Sequence, residues 1–262
     1  MVVCDVGVVG ANGKTGRAVT AALRMRGATV RPIGRAQLVD PVGALRGCGA
    51  IYLIAPNMYA EEPAFVDRIL AAAATVETPQ VVYHSVATPY TPLMPHHMGK
   101  VISEDRIRRG PCSWTILQPC PYVQNFLPAL RAPEPALRVA YDVTKSFNFV
   151  DLHDVAEAAA IVLLDSGHLG ATYELGGPDL MSVSDLAAVA QTLLRREVPV
   201  GRIDPDHWST TQGASLEPRV RDWLLAMFDY YDHYGLLCGG LPLRALLDRN
   251  PTDVRSTLLR EF

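Results

Sequence analysis

The chain predicts a doubly wound α/β fold: a mostly parallel sheet covered on both faces, with a smaller lobe built from its C-terminal half. Short β-branched runs alternate with helix-length patterns through the first half. The first strand runs straight into a glycine-rich turn that opens the first helix. A length of 262 residues suits one large domain with a smaller one appended, read here as 1–130 and 131–262.

Each element has its own local reason. Residues 6–9 are a β-branched strand run, and 15–26 carry a helical pattern stopped by Gly27. Strands are expected at 29–33, 51–55, 81–84 and 114–117. Between them, 60–76 places Phe65, Val66, Ile69, Leu70 and Ala73 at helical spacing, and 98–109 reads as another helix. The interval 34–49 barely fits a helix and a strand, so that crossover is expected to be trimmed. Beyond Pro119 the pattern loosens, with strands expected at 147–150 and 172–175 and helices at 151–164, 184–195 and 216–234. Ser182 or Ser184 is placed to cap the helix near 184. The stretch 119–262 is read as interleaved, giving late strands to the sheet and most of the small lobe. The aromatic helix at 216–234 is read as packing on its own lobe, with a homodimer face as its alternative use.

Composition removes several function classes. Apolar residues make up 49% and charged residues 19%, enough for a full core and against disorder. Lys plus Arg is 24 against 27 for Asp plus Glu, and the cationic cluster Arg106, Arg108, Arg109 reads as a solvated helix end rather than a nucleic-acid surface. The five cysteines (Cys4, Cys48, Cys112, Cys120, Cys238) show neither a disulfide framework nor metal-ligand spacing, so no metal is expected and a reducing cytoplasm is. The longest uncharged apolar stretch, 110–130, holds four prolines, Gln118, Gln124 and Asn125, and cannot span a bilayer as a helix.

The turn Gly10-Ala11-Asn12-Gly13-Lys14-Thr15-Gly16 carries the functional argument. Glycines at this spacing permit a tight turn, close approach to a phosphate and close helix–strand packing, while the helix start offers free N–H groups to a diphosphate. At the end of the second strand the segment Arg31-Pro32-Ile33-Gly34-Arg35 lacks the carboxylate that would accept from a ribose 2′-hydroxyl. Arg35, assisted by Arg31 or Lys14, can pair with a 2′-phosphate instead, so NADP(H) is favoured over NAD(H). Loops following the strands would face such a cofactor. They supply Ala55, Pro56 and Asn57, then His84, Ser85 and Val86, then Gln118, Pro119, Cys120, Pro121 and Tyr122. Lys100 stands four residues after His96, the offset at which short-chain reductases place a lysine after their proton-donating tyrosine. His96, with an ordinary pKa near 6.5, is the expected donor here, with His97 as its substitute and Ser85 as a further hydroxyl. Tyr122, Asn125 and Phe126 are the expected substrate contacts, with Trp114 and the aromatic helix as apolar walls.

The stretches GANGKTGR at 10–17, VVYHSVATPYTPLMPHHMGK at 81–100, WTILQPCPYVQN at 114–125, FVDLHDVAEAAA at 149–160, YELGGPDLMS at 173–182 and FDYYDHYGL at 228–236 resemble, in that order, the NmrA-like branch of the atypical short-chain dehydrogenases/reductases. That resemblance implies a Rossmann domain with a smaller C-terminal lobe and bound NADP(H). Carried onto this chain, it implies cofactor contacts at Gly10, Asn12, Gly13, Thr15, Gly16, Arg35, Ser85, Lys100 and the turn 119–122. It also implies a catalytic role for Lys100, after the family's phenylpropanoid reductases, and a structural role for 151–154. Three activities follow as expectations. The first is an NADPH-dependent reductase of a small aromatic, quinone-like, enone or ketone substrate. The others are a cofactor-binding redox-sensing regulator without turnover and a redox-neutral cyclase, isomerase or dehydratase.

Overall fold

The computed structural model describes residues 5–262, so Cys4 lies outside the described residues. The first half runs β1 (Asp5–Val9), α1 (Lys14–Met25), β2 (Thr29–Ile33), the short α2 (Pro41–Leu45), β3 (Ala50–Leu53), α3 (Glu62–Thr75), β4 (Gln80–His84), α4 (Pro95–Arg108) and β5 (Ser113–Pro119). The second half adds α5 (Leu127–Leu130), β6 (Leu137–Val139), α6 (Leu152–Leu164), β7 (Thr172–Leu175) and α7 (Val183–Leu194). It ends with β8 (Val200–Arg202), α8 (Pro205–Thr210), α9 (Pro218–Tyr234), α10 (Leu241–Leu247) and α11 (Val254–Glu261).

Six strands form one parallel sheet in the order β2-β1-β3-β4-β5-β7. Both faces are covered, which is why β3 is buried at every position and reads as a continuous apolar run. The period of two sorts its side chains. Val6, Val8, Tyr52, Val82 and Leu117 share a core with α1 and α6. Val9, Ile51, Leu53, Tyr83 and Ile116 share the opposite core with α2 and α3. The connection from β2 to β3 is trimmed as expected, to a 3-10 turn and the five-residue α2, and it places no strand outside β2. The chain therefore reverses direction across the sheet between β1 and β3. The crevice beyond the strand ends at such a reversal is the usual ligand site of this architecture.

Three expectations change, two of them in the second half. Residues 147–150 do not form a strand. They make only isolated bridges, Phe147 to Met181 and Leu236 and Val150 to Tyr122, and their apolar run reflects burial of Phe147, Phe149 and Val150 in a connecting segment. Of the late strands only β7 joins the main sheet, because β6 and β8 pair with each other. Helix α4 starts at Pro95 rather than 98, since proline suits the first helical turn, and this brings His96 and His97 onto the helix.

Polar ties fasten the smaller lobe. Buried Asp154 on α6 accepts from Arg249, from the Thr252 amide and from the Thr252 hydroxyl, so it bridges elements, a structural role of the kind the resemblance implies for 151–154. Buried Asp151 caps α6 and accepts from Arg260 and Gln124. Ser182, not Ser184, caps α7 in a reciprocal box with Asp185. On α9, Tyr231 packs against Tyr141 and Phe147 and Phe228 against Trp208, so that helix covers its own lobe. Among the described residues no helix is long and apolar enough to cross a membrane, and no group of His, Cys, Asp and Glu is arranged to hold a metal.

Candidate active site

The glycine turn sits at the reversal between β1 and β3. Gly10 has φ +82°, and a Cβ there would stand 2.9 Å from the Ile54 carbonyl oxygen, so only glycine lets the turn pass the end of β3. At Gly16 a Cβ would lie 2.2 Å from the Gly10 oxygen, which is the close helix–strand packing the motif requires. Gly13 is the N-cap of α1, with no side-chain cap and no acid in the first turn. The amides opening α1 therefore face the crevice with neither a carboxylate nor a hydroxyl competing for them. Lys14 reaches across to donate to Asn125 Oδ1 at 2.5 Å, with its Nζ 5.3 Å from the Tyr122 ring centroid. Burial there lowers the pKa of Lys14.

The adenosine end of a dinucleotide would meet the end of β2. Gly34 lies under the Asn12 amide, close enough that a Cβ would stand 2.6 Å from Nδ2. Arg35 is exposed beyond it. Arg31 does not assist there, because its guanidinium donates to the Ala44 and Arg46 carbonyls and to the Cys48 sulfur, tying β2 to the trimmed crossover. Ala55 and Pro56 lie in the loop after β3, directly after Ile54, whose carbonyl oxygen faces Gly10, with Ala55 buried.

At the ends of β4 and β5, two polar clusters occupy opposite faces of the sheet. On the α3–α4 side Lys100 donates to Glu62 Oε1 at 2.8 Å and to the His84 carbonyl at 3.3 Å. Tyr83 donates to the same Glu62 oxygen at 2.5 Å, and both members of the ion pair are buried. Lys100 thus reaches the end of β4, but its charge is committed to a carboxylate. Ser85 is also committed. Its hydroxyl donates to Glu104 Oε1 at 2.5 Å, and Glu104 also accepts from Gln118 and Arg108.

His96 and His97 are both buried. His96 stacks at a tilt on Trp223, and His97 holds its Nδ1 3.1 Å from the Thr88 carbonyl. Burial, with the Lys100 and His97 charges, pushes His96 down to about 3. Burial likewise lowers His97 to about 4 against the opposing pull of the Thr88 carbonyl. Burial first, and then the nearby Lys100 ammonium, disfavour the imidazolium form expected of His96 as donor.

The other face carries a chain the sequence did not announce. Tyr52 and His84 lie on adjacent strands, on one face and one pleat apart, since Tyr52 is in register with Val82. The Tyr52 hydroxyl stands 2.6 Å from His84 Nδ1, and His84 Nε2 stands 2.9 Å from the Tyr122 hydroxyl. Burial, then the Lys100 charge, pushes His84 down to about 3, so it is a neutral imidazole. Of the remaining candidates, Asn125 is exposed and accepts from Lys14, while Phe126 leans edge-on against Phe149. Pro119 accepts from the Ala87 amide, which ties the turns after β4 and β5 together. Cys120 turns its thiol into the core toward the Leu236 carbonyl, so only its backbone can face a ligand. Tyr52, Glu62 and Glu104 were missed. A tyrosine inside an apolar strand was the available signal for the first, and the two glutamates gave none.

Sheet order, glycine turn and covering lobe define an α/β protein of the Rossmann class. No family model matches the chain. It is 25% identical over 187 residues to a (4-alkanoyl-5-oxo-2,5-dihydrofuran-3-yl)methyl phosphate reductase of Streptomyces griseus, across 70% of this chain and 64% of that enzyme. The match thus spans less than two thirds of the relative's length. In three dimensions it matches an NADPH-dependent quinone oxidoreductase from Escherichia coli complexed with NADPH, at a TM-score of 0.82 and 19% identity, over 98% of this chain and 99% of the other. NmrA, a negative transcriptional regulator in complex with NAD, matches at a TM-score of 0.75 and 16% identity, over 98% and 95%. The chain has the fold of the NmrA-like, atypical short-chain dehydrogenases/reductases.

Proposed function

We propose that this protein is an NADPH-dependent reductase of a small aromatic, quinone-like, enone or ketone substrate. The observation that carries the reading is the glycine turn at the sheet reversal, with uncapped helix amides opening toward protic side chains at the ends of β4 and β5. The residues fit a dinucleotide. The amides from Gly13 to Gly16 and the Thr15 hydroxyl would hold the diphosphate. Gly34 and Asn12 would border the adenosine, with the exposed Arg35 guanidinium available to a 2′-phosphate. When bound, the reduced nicotinamide supplies a hydride. Half-buried Tyr122 and Phe126 and the half-buried apolar residues of α9 suit a flat, apolar acceptor. The reductase and the quinone oxidoreductase among the similar proteins support the same class. Cys112, Cys120 and Cys238 are free and buried, which suits the cytoplasm.

Calorimetry with NADPH and NADH, alongside NADPH oxidation with quinone, enone and ketone acceptors, tests the reading. Binding of NADPH in preference to NADH, with turnover of at least one acceptor class, is the expected result. Tight binding with silence across the panel would refute catalysis. Arg35→Asp should reverse the preference toward NADH through charge repulsion, and an unchanged ratio would remove Arg35 from the site.

A second reading, a redox-sensing regulator without turnover, draws on the neutral His96, the Lys100–Glu62 pair and the likeness to a transcriptional regulator. It predicts a partner whose affinity differs between NADP⁺ and NADPH, measurable by pull-down with each form.

A further inference from the structure

The reduction adds two electrons and two protons to the acceptor. A hydride accounts for both electrons and one proton, so a protic group must supply the other. At the strand ends most candidate donors are already engaged with other protein groups. Ser85 donates to Glu104, Lys100 to Glu62 and the His84 carbonyl, and His96 and His97 are neutral and packed against Trp223 and Thr88.

The Tyr52–His84–Tyr122 chain has a direction that burial sets. Tyr52 is fully buried, and its hydroxyl has one hydrogen-bond partner among the described residues, His84 Nδ1 at 2.6 Å. If Nδ1 carried the proton, the Tyr52 hydrogen would be left buried and unpaired, at a cost of about 1–3 kcal/mol. The satisfied arrangement has Tyr52 donating to Nδ1 and His84 donating from Nε2–H to the Tyr122 oxygen. Tyr122 then accepts from His84, which leaves its own proton for another acceptor, with the Thr15 hydroxyl beside it and the Lys14 ammonium over its ring.

We propose that Tyr122 is the proton donor of the reduction, and that His84, fixed as its Nε2–H tautomer by Tyr52, is the positioning residue that holds the Tyr122 oxygen through the transfer. The inference rests on the reductase reading. As the acceptor carbon takes the hydride, its oxygen takes the Tyr122 proton. The Tyr122 O–H bond breaks, the phenolate keeps the electron pair and the His84 N–H bond, and water reprotonates it after product leaves. Lys14 adds positive charge next to the ring while that phenolate exists. Tyr122 thereby fills the office of the tyrosine that His96 replaces in the helix, but from the turn after β5.

The test compares wild type, Tyr122→Phe and Tyr52→Phe for NADPH affinity, turnover of the best acceptor and the ¹⁵N spectrum of the labelled histidines. Tyr122→Phe should retain NADPH affinity within about threefold and lose about 100-fold or more in kcat, the usual contribution of a general acid. In wild type the His84 resonances should report an unprotonated Nδ1 and a protonated Nε2, and in Tyr52→Phe the tautomers should mix, with kcat reduced more than KM is raised. Unchanged kcat in Tyr122→Phe overturns the donor assignment alone, and so does unchanged kcat with NADPH affinity weakened tenfold, which would make Tyr122 a cofactor contact. An Nδ1–H tautomer in wild type overturns the positioning role. Absence of turnover by wild type with every acceptor overturns the reductase reading and the donor role together.

Discussion

Lys100 and Glu62 show how much a single buried charge depends on its partner. The carboxylate accepts from Lys100 and Tyr83 through Oε1, while its Oε2 is buried without a hydrogen bond among the described residues. Lys100→Met would leave that carboxylate with the tyrosine alone. Breaking one side of a buried pair costs about 3–5 kcal/mol, whereas neutralising both members is far milder. Urea unfolding should therefore show a large loss for Lys100→Met and recovery of most of it in Lys100→Met/Glu62→Gln. Equal losses in the single and double variants would show that the pair is not what sets the cost. Lys100 itself was visible from its offset to His96. Glu62, 38 residues earlier and on another helix, was not, because a carboxylate at a helix start reads as solvated unless the packing is known.

Among the elements, the turn and α1 act as one unit. Gly16→Ala would drive a Cβ into the Gly10 oxygen at 2.2 Å and the Ala11 Cα at 2.7 Å, both backbone atoms that cannot swing aside. The helix would have to leave β1, with an expected loss of about 3 kcal/mol or more and of NADPH binding. At Gly13 the nearest atom to an added Cβ is 3.4 Å away, so Gly13→Ala should change stability by less than about 1 kcal/mol. Thermal melts of the two variants check the contrast, and similar melting temperatures would contradict it. Elements of this kind were legible because β1, α1, α3 and β4 each carry a clear period. The three-residue strands β6 and β8 and the short helices α8, α10 and α11 were not, since so few residues repeat a period too seldom to stand out from a loop.

The molecule as a whole holds three histidines neutral in its interior, His84 and His96 pushed down to about 3 and His97 to about 4. An unfolded chain takes up these protons as pH falls through about 6.5, while the folded chain does not until pH approaches those lowered values. Folding stability is therefore fully present above about 6.5 and falls as pH drops, by up to about 1.4 kcal/mol per pH unit for each histidine. Urea midpoints should decrease steadily from neutral pH to about pH 5, and His97→Gln should flatten the slope by a third. A midpoint independent of pH over that range would show that the histidines are not protected from protons.

The order of strands and helices through β5, the trimmed second crossover, the glycine turn and the offset of Lys100 from His96 were all determined by the sequence itself, because each rests on spacing between near neighbours. Only the tertiary structure decided which side chains meet. Registering β3 against β4 set Tyr52 beside His84, folding the turn after β5 over them added Tyr122, and docking α3 on α4 paired Glu62 with Lys100. Those contacts join residues tens of positions apart. Their protonation and direction follow from burial, a property that exists only once the faces of the sheet are closed.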